Sequence, residues 1–197
     1  MSVILASAST ARQSLLRAAG VDVVALPARI DEDAVKQTAQ ADGSSAGDAA
    51  LLLAAMKARR IASAHPEALV IGADQMLVCD EAWFDKPPTL ADARAQLQAL
   101  RGRTHHLPTA LVCFRGATQV WHHLATPALT MRDFSDAFLD RYLAAEGEAV
   151  LSSVGAYRIE ALGIQLFARI EGGMDAISGL PLLPLLDYLR GAGEIGV

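Results

Sequence analysis

A chain of 197 residues, 52% of them hydrophobic, has the apolar material for a substantial core and a length that fits one compact domain, with or without two lobes. Its formal net charge of -5 argues against a nonspecific binder of nucleic-acid polymers, so any attraction of an anion has to come from local basic groups. Cys79 and Cys113 stand far apart without a histidine at metal-ligand spacing, so neither a disulfide framework nor a zinc site is indicated, and a reducing cytoplasm fits best.

The richest apolar stretch, "AALLLAAM" at 49 to 56, is too short to span a bilayer, and no basic segment with a long apolar run opens the chain; it reads as soluble, unprocessed and not bound to membrane. Met1 to Ala6 is expected to be a brief strand, and Thr10 to Ala19 a helix closed by Gly20. Between them Ser7, Ser9 and Thr10 offer hydroxyls beside the free N–H groups of the helix, and Arg12 adds a planar donor fork in the first turn. A cation there is disfavoured unless something negative lies nearby. The segment is thus either an ordinary serine cap with an exposed arginine or a site for an anion of the phosphate type.

"VDVVAL" predicts a strand leading into "RIDED" at 29 to 33, an acidic loop holding Asp31, Glu32 and Asp33. "TAQADGSSAGD" at 38 to 48 predicts a surface loop, followed by a helix from Asp48 to Ala64. On that helix Ala50, Leu53, Ala54, Ile61 and Ala64 form an apolar stripe with Lys57 in its middle, where the amine must snorkel out or meet an anion. "ALVIGAD" at 68 to 74 predicts a buried strand, with "MLVCD" as its continuation. Asp74 and Gln75 then lie at a strand end of the kind where α/β proteins place ligands. Oxygen donors such as Glu32 and Asp74, with no histidine close by, suit Mg²⁺ or Mn²⁺ far better than zinc.

Lys86 sits between Asp85 and two prolines, ahead of a helix at 89 to 100 that Thr89 caps, and is either a phosphate contact or an ordinary exposed lysine. His105 and His106, adjacent on a strand, point to opposite faces and cannot share an ion. "HHLPTALVCF" and "QVWHHLATPALTM" flank "RGAT" and predict two long antiparallel strands. Ser135 starts a helix carrying Phe138, Leu139, Tyr142 and Leu143; a final strand, a helix around "IQLFARI" and another at "LLPLLDYLR" complete the chain. The mixture predicts an α/β protein with a mixed central sheet flanked by helices.

Taken in order, "LASAS" then Arg12, "DE" at 31 and 32, Lys57, "GADQ" at 72 to 75, "KP" at 86 and 87, "GRTHH" at 102 to 106 and "GLPL" at 179 to 182 resemble the Maf family of nucleoside triphosphate pyrophosphatases over essentially the whole chain. The resemblance implies a single Maf-like domain over residues 1 to 197, with two lobes around a cleft as in Maf and ITPase-like folds, often homodimeric. It implies hydrolysis of canonical or modified nucleoside triphosphates to monophosphate and pyrophosphate with a divalent metal, a house-cleaning role, and an older association with arrest of septum formation. Thr10 stands where proline is usual in the family. "SSVG" at 152 to 155 replaces the "DKAG" of the branch acting on dTTP and UTP, and Glu160 occupies the place of that branch's glutamine. "EALGIQLFARIEG" and "GLPLLPLLDYLR" look more like the branch acting on 7-methyl-GTP.

On this reading Glu32 and Asp74 hold the metal, with Glu160 as a further candidate, and Asp74 takes the proton of the attacking water. Glu32, Asp74 and Lys86 form the catalytic set; Ser7, Ser9, Arg12, Lys57, Gln75 and Glu160 bind substrate, with Lys86 also on phosphate. Trp83, Phe84 and Tyr157 either stack on a base or belong to the core. One rival is a nucleotide sensor that regulates cell division without catalysis, against which Glu32 and Asp74 speak, since a sensor needs no water-activating carboxylate. A phosphatase removing the terminal phosphate is the other, and product chromatography separates it from a pyrophosphatase.

Overall fold

The computed structural model describes residues 3–196; Met1 and Ser2, expected in the first strand, lie outside the described residues, as does Val197. The first strand, β1 (Val3–Leu5), is buried throughout. Ser9, in extended backbone, then caps α1 (Thr10–Ala18), its Oγ accepting from the Arg12 amide at 3.4 Å. After β2 (Val23–Ala25) the acidic stretch forms no loop: Asp31 caps α2 (Glu32–Ala41), its Oδ1 accepting from the Ala34 amide at 3.0 Å. Glu32 and Asp33 occupy the first turn, where the helix dipole favours negative charge, and the alanine- and glutamine-rich residues that follow sustain the helix. The loop expected at 38 to 48 shrinks accordingly, because α3 (Ala46–Ala62) starts directly after its cap Ser45.

The described residues form two compact units. The first takes Met1–Gln75, Pro108–Thr126 and Gly173–Val197. Its sheet runs β2-β1-β3-β7-β8, with β3 (Leu69–Gln75), β7 (Thr109–Arg115) and β8 (Thr118–Ala125). β1 is parallel to β2 and β3, while β7 is antiparallel to β3 and β8, so the sheet is mixed as expected. Ala50, Ala54, Ala58 and Ala62, fully buried at four-residue spacing, give α3 a flat face that lies close against this sheet. Gly72 on β3 is the counterpart: a Cβ there would stand 2.0 Å from the Ala54 carbonyl oxygen. Leu5, Leu16, Leu69, Ile71 and Leu111 build the core together with Leu185 and Leu189 of the C-terminal helix (Leu182–Gly191), which follows the short helix Met174–Ile177.

The second unit, Met76–Leu107 with Pro127–Gly172, holds an antiparallel sheet in the order β10-β9-β6-β4-β5. Its strands are β4 (Leu77–Cys79), β5 (Ala82–Phe84), β6 (Thr104–His106), β9 (Ala128–Met131) and β10 (Phe167–Glu171). Its helices are α4 (Leu90–Leu100), capped by Thr89, and α5 (Asp136–Glu146), capped by Ser135.

Three expectations are corrected here. "MLVCD" does not continue β3, because β3 pairs with β7 only as far as Gln75 opposite Thr109, and Pro108 beyond has no N–H to extend the ladder. The two long strands are each divided, at Pro108 and at Pro127, into a piece for each sheet. "IQLFARI" is not helical: Leu162–Leu166 is a 3-10 turn and Phe167–Glu171 pairs with β9, which offers a hydrogen-bonding edge that the residues' own period does not reveal. No helix among the described residues is long and apolar enough to cross a membrane. Cys79 and Cys113 are free buried thiols, and burial pushes that of Cys113 up to about 12.

Candidate active site

The contact between α3 and β3 decides the fate of Lys57. Its ammonium does not snorkel to solvent; Nζ lies 2.6 Å from Asp74 Oδ1 and 2.8 Å from Glu32 Oε1. Lys57 and Asp74 are 7% and 5% exposed, whereas the Glu32 side chain, on the first turn of α2, keeps 41% of its surface. Three elements distant in the chain thus bring two carboxylates to one cation. Asp74 Oδ2 is buried and has no hydrogen-bond partner among the described residues. Burial raises the Asp74 pKa above the ordinary carboxylate value, against the pull of Lys57 and of Arg12. An ionisable oxygen left without a donor in a buried place is costly, and such a group is a natural proton acceptor or cation ligand.

Arg12 belongs to the same constellation. Its Nη1 donates to Ser7 Oγ at 3.2 Å and to the carbonyl of Ala73, the neighbour of Asp74, at 3.1 Å, and its Nε donates to the Gly179 carbonyl at 2.8 Å. Among the described residues these three bonds involve only Nε and Nη1. Burial lowers the Arg12 pKa, and the charges of Asp74 and Glu32 oppose that shift. The anion that the first helix turn demanded is therefore supplied in part by this unit's own carboxylates. Ser7 Oγ also accepts from the Ser9 amide at 3.2 Å, so Ser7 orders the turn while Ser9 caps the helix.

Gln75 turns inward. Its Nε2 donates to Thr109 Oγ1 at 2.8 Å and reaches the carbonyls of Ala176 and Ile177 at 3.0 and 3.1 Å. Thr109, fully buried, donates in turn to the Ala176 carbonyl at 3.2 Å. Two residues that sequence reasoning gave no role thus shape the site. Thr109 left no signal beyond its place after Pro108. Gly179 was visible in "GLPL", but its use is structural: φ of +95° and a Cβ position 3.3 Å from Arg12 Nε require glycine where the guanidinium docks.

Lys86 and Glu160 lie in the second unit. Lys86 is exposed, on the segment between β5 and α4. Glu160 is held by Arg158 Nε at 3.4 Å, and Arg158 Nη1 is held by the buried Glu146 at 3.2 Å. Tyr157 is core: 5% exposed, it bonds His105 Nε2 through its hydroxyl at 2.8 Å and meets Phe167 edge-on at 4.9 Å between ring centres. Trp83 and Phe84 are half-buried on β5. His105 is buried and His106 exposed, the opposite faces that strand alternation requires.

Among the described residues no three His, Cys, Asp or Glu side chains are grouped to hold a metal ion. Two carboxylates, one with a vacant buried oxygen, nevertheless match the donor set of Mg²⁺ or Mn²⁺, which binds through one or two carboxylates and completes its shell with water and phosphate oxygens. The arrangement joins a carboxylate able to accept a proton, two cations and a hydroxyl.

Comparison with known proteins gives a consistent picture. The family model described as "Maf-like protein" matches residues 2–192. A nucleoside triphosphate pyrophosphatase of Granulibacter bethesdensis is 57% identical over 190 residues, covering 96% of this chain and 96% of that protein. Another of the same name, from Rhodospirillum rubrum, is 54% identical, covering 98% and 96%. The 7-methyl-GTP pyrophosphatase of Rhizobium meliloti is 47% identical, covering 98% and 97%.

Proposed function

The chain belongs to the Maf family, and from that premise we propose that it is a nucleoside triphosphate pyrophosphatase, which hydrolyses its substrate to the monophosphate and pyrophosphate. The observation that carries the chemistry is the buried, partnerless Asp74 Oδ2 beside Lys57 and Arg12. In this reading residues 1 to 197 act as one catalytic domain, and a divalent cation, Mg²⁺ or Mn²⁺, is held by Glu32 and Asp74. When bound, that cation supplies charge neutralisation at the phosphates and lowers the pKa of water.

The chain's own residues do the rest. Asp74 Oδ2 accepts a proton as a water oxygen bonds to the α-phosphorus; the bond from that phosphorus to the bridging oxygen breaks in line, and pyrophosphate leaves with the bonding electrons. Lys57 and Arg12 offset the charge that grows on the leaving group, with Ser7 and Ser9 as hydroxyl contacts. Gln75 belongs to the substrate set by holding the segment at 176 and 177, and Glu160, an acidic group in the place of a glutamine, favours a cationic base such as 7-methylguanine. The setting is cytoplasmic and the assembly a homodimer, which light scattering on the purified protein tests.

The deciding experiment incubates the protein with canonical and 7-methylated nucleoside triphosphates and separates the products by chromatography. Monophosphate and pyrophosphate in equal amounts, lost on chelation, are expected; diphosphate and orthophosphate refute the pyrophosphatase reading, and nucleotide binding without turnover refutes catalysis.

A further inference from the structure

Lys57 Nζ sits 2.6 Å from one carboxylate and 2.8 Å from the other, between the two groups assigned to the metal. Asp74 Oδ2 stays free of the ammonium, but a divalent cation held by both carboxylates would stand beside Nζ, and two cations crowded into a buried place repel each other. Nor does Lys57 have a route to solvent that costs nothing: its residue is 7% exposed, and the apolar stripe of α3 lies on either side. Resting on the reading above, we infer that Lys57 is a resident counter-ion. It neutralises Glu32 and Asp74 while no metal is present, and its ammonium leaves them only when the phosphates of a nucleotide offer replacement acceptors.

This gives the site an order of assembly. Without nucleotide, a free divalent cation must either break the two ion pairs of Lys57 and leave a buried ammonium unpaired or bind against its charge, with Arg12 close enough to feel the Asp74 charge. With a triphosphate present, the displaced ammonium has oxygens to receive it. Lys57 thereby couples metal binding to substrate binding and holds the metal-free site together against repulsion between two carboxylates.

The test titrates Mn²⁺ by electron paramagnetic resonance into wild type, Lys57→Met and Asp74→Asn, each with and without a non-hydrolysable nucleoside triphosphate. Lys57→Met is expected to bind free Mn²⁺ roughly tenfold more tightly than wild type, and the gap is expected to close or reverse with nucleotide. Equal or weaker binding of free Mn²⁺ by Lys57→Met overturns the inference. If wild type still binds Mn²⁺ with nucleotide and Asp74→Asn does not, the metal reading itself survives that result; if neither does, the metal reading fails as well. Should Lys57→Met fold poorly, the ¹⁵N signal of the wild-type Lys57 ammonium serves instead. It should stay in place when Mg²⁺ alone is added and move when Mg²⁺ and nucleotide are added together; an unchanged signal in the second case, or a shift with Mg²⁺ alone, refutes the counter-ion role.

Discussion

At Asp74 two demands conflict, since burial disfavours the charged carboxylate while Lys57 and Arg12 favour it. Burial holds the Asp74 pKa above the ordinary carboxylate value, the direction that suits the proton acceptor proposed for it. Asp74→Asn keeps the shape but removes the acceptor, so kcat should fall by about 10²–10⁴ in a protein that still folds. Turnover within a few-fold of wild type would assign the base elsewhere. Gly179 offers a second test at this scale. Gly179→Ala must adopt φ near +95° and press its methyl against Arg12, at a cost of about 1–3 kcal/mol in a denaturant titration. Activity should drop beyond that loss, because the guanidinium is displaced. Lys57 was legible from sequence as an anomaly, because helical period alone puts it in an apolar stripe; its partners were not, since Asp74 is separated from it by a strand-to-helix contact that no local pattern encodes.

Among the elements, α3 and β3 carry the site by how closely they approach. Four buried alanines and Gly72 set that distance, and Gly72→Ala would drive a methyl into the Ala54 carbonyl and Ala58. The expected cost is about 2–3 kcal/mol, as for overpacking of a core, with activity lost because Lys57 is carried away from Asp74; a stable, active variant would show that the approach is not what positions the amine. The helical stripe and the caps at Ser9, Thr89 and Ser135 could be read in advance, since each depends on residues within one or two turns, whereas the cap at Ser45 fell inside the expected loop. The acidic start of α2 was visible too, but three acidic residues in a row suit an exposed loop as well as a capped, dipole-matched first turn. Pro108 and Pro127 were the missed signals: a residue without an N–H cannot carry a ladder onward, and at these points each long strand passes from one sheet to the other.

For the whole molecule, His105 makes stability depend on pH. In the folded second unit burial lowers its pKa from 6.5 to about 4, and its Nδ1 has no partner among the described residues. The folded state therefore resists a proton that the unfolded chain accepts. This contribution is fully present above pH 6.5 and is lost as pH falls toward 4, by about 3 kcal/mol in all. Denaturant unfolding of a Trp121→Phe protein, read through Trp83 in the same unit as His105, should show that fall, and His105→Gln should flatten it; an equal slope in both would place the sensitive group elsewhere. The sequence by itself determined the alternation of strands and helices, the caps at Thr89 and Ser135, the odd placement of Lys57 and the ordered motifs of the Maf family, because these depend on neighbours in the chain or on their order. Only the tertiary structure decided that the strands divide between two sheets, that Lys57 bridges Glu32 and Asp74, and that Gln75 and Gly179 serve the scaffold, because burial and hydrogen-bond partners across long separations are set by packing.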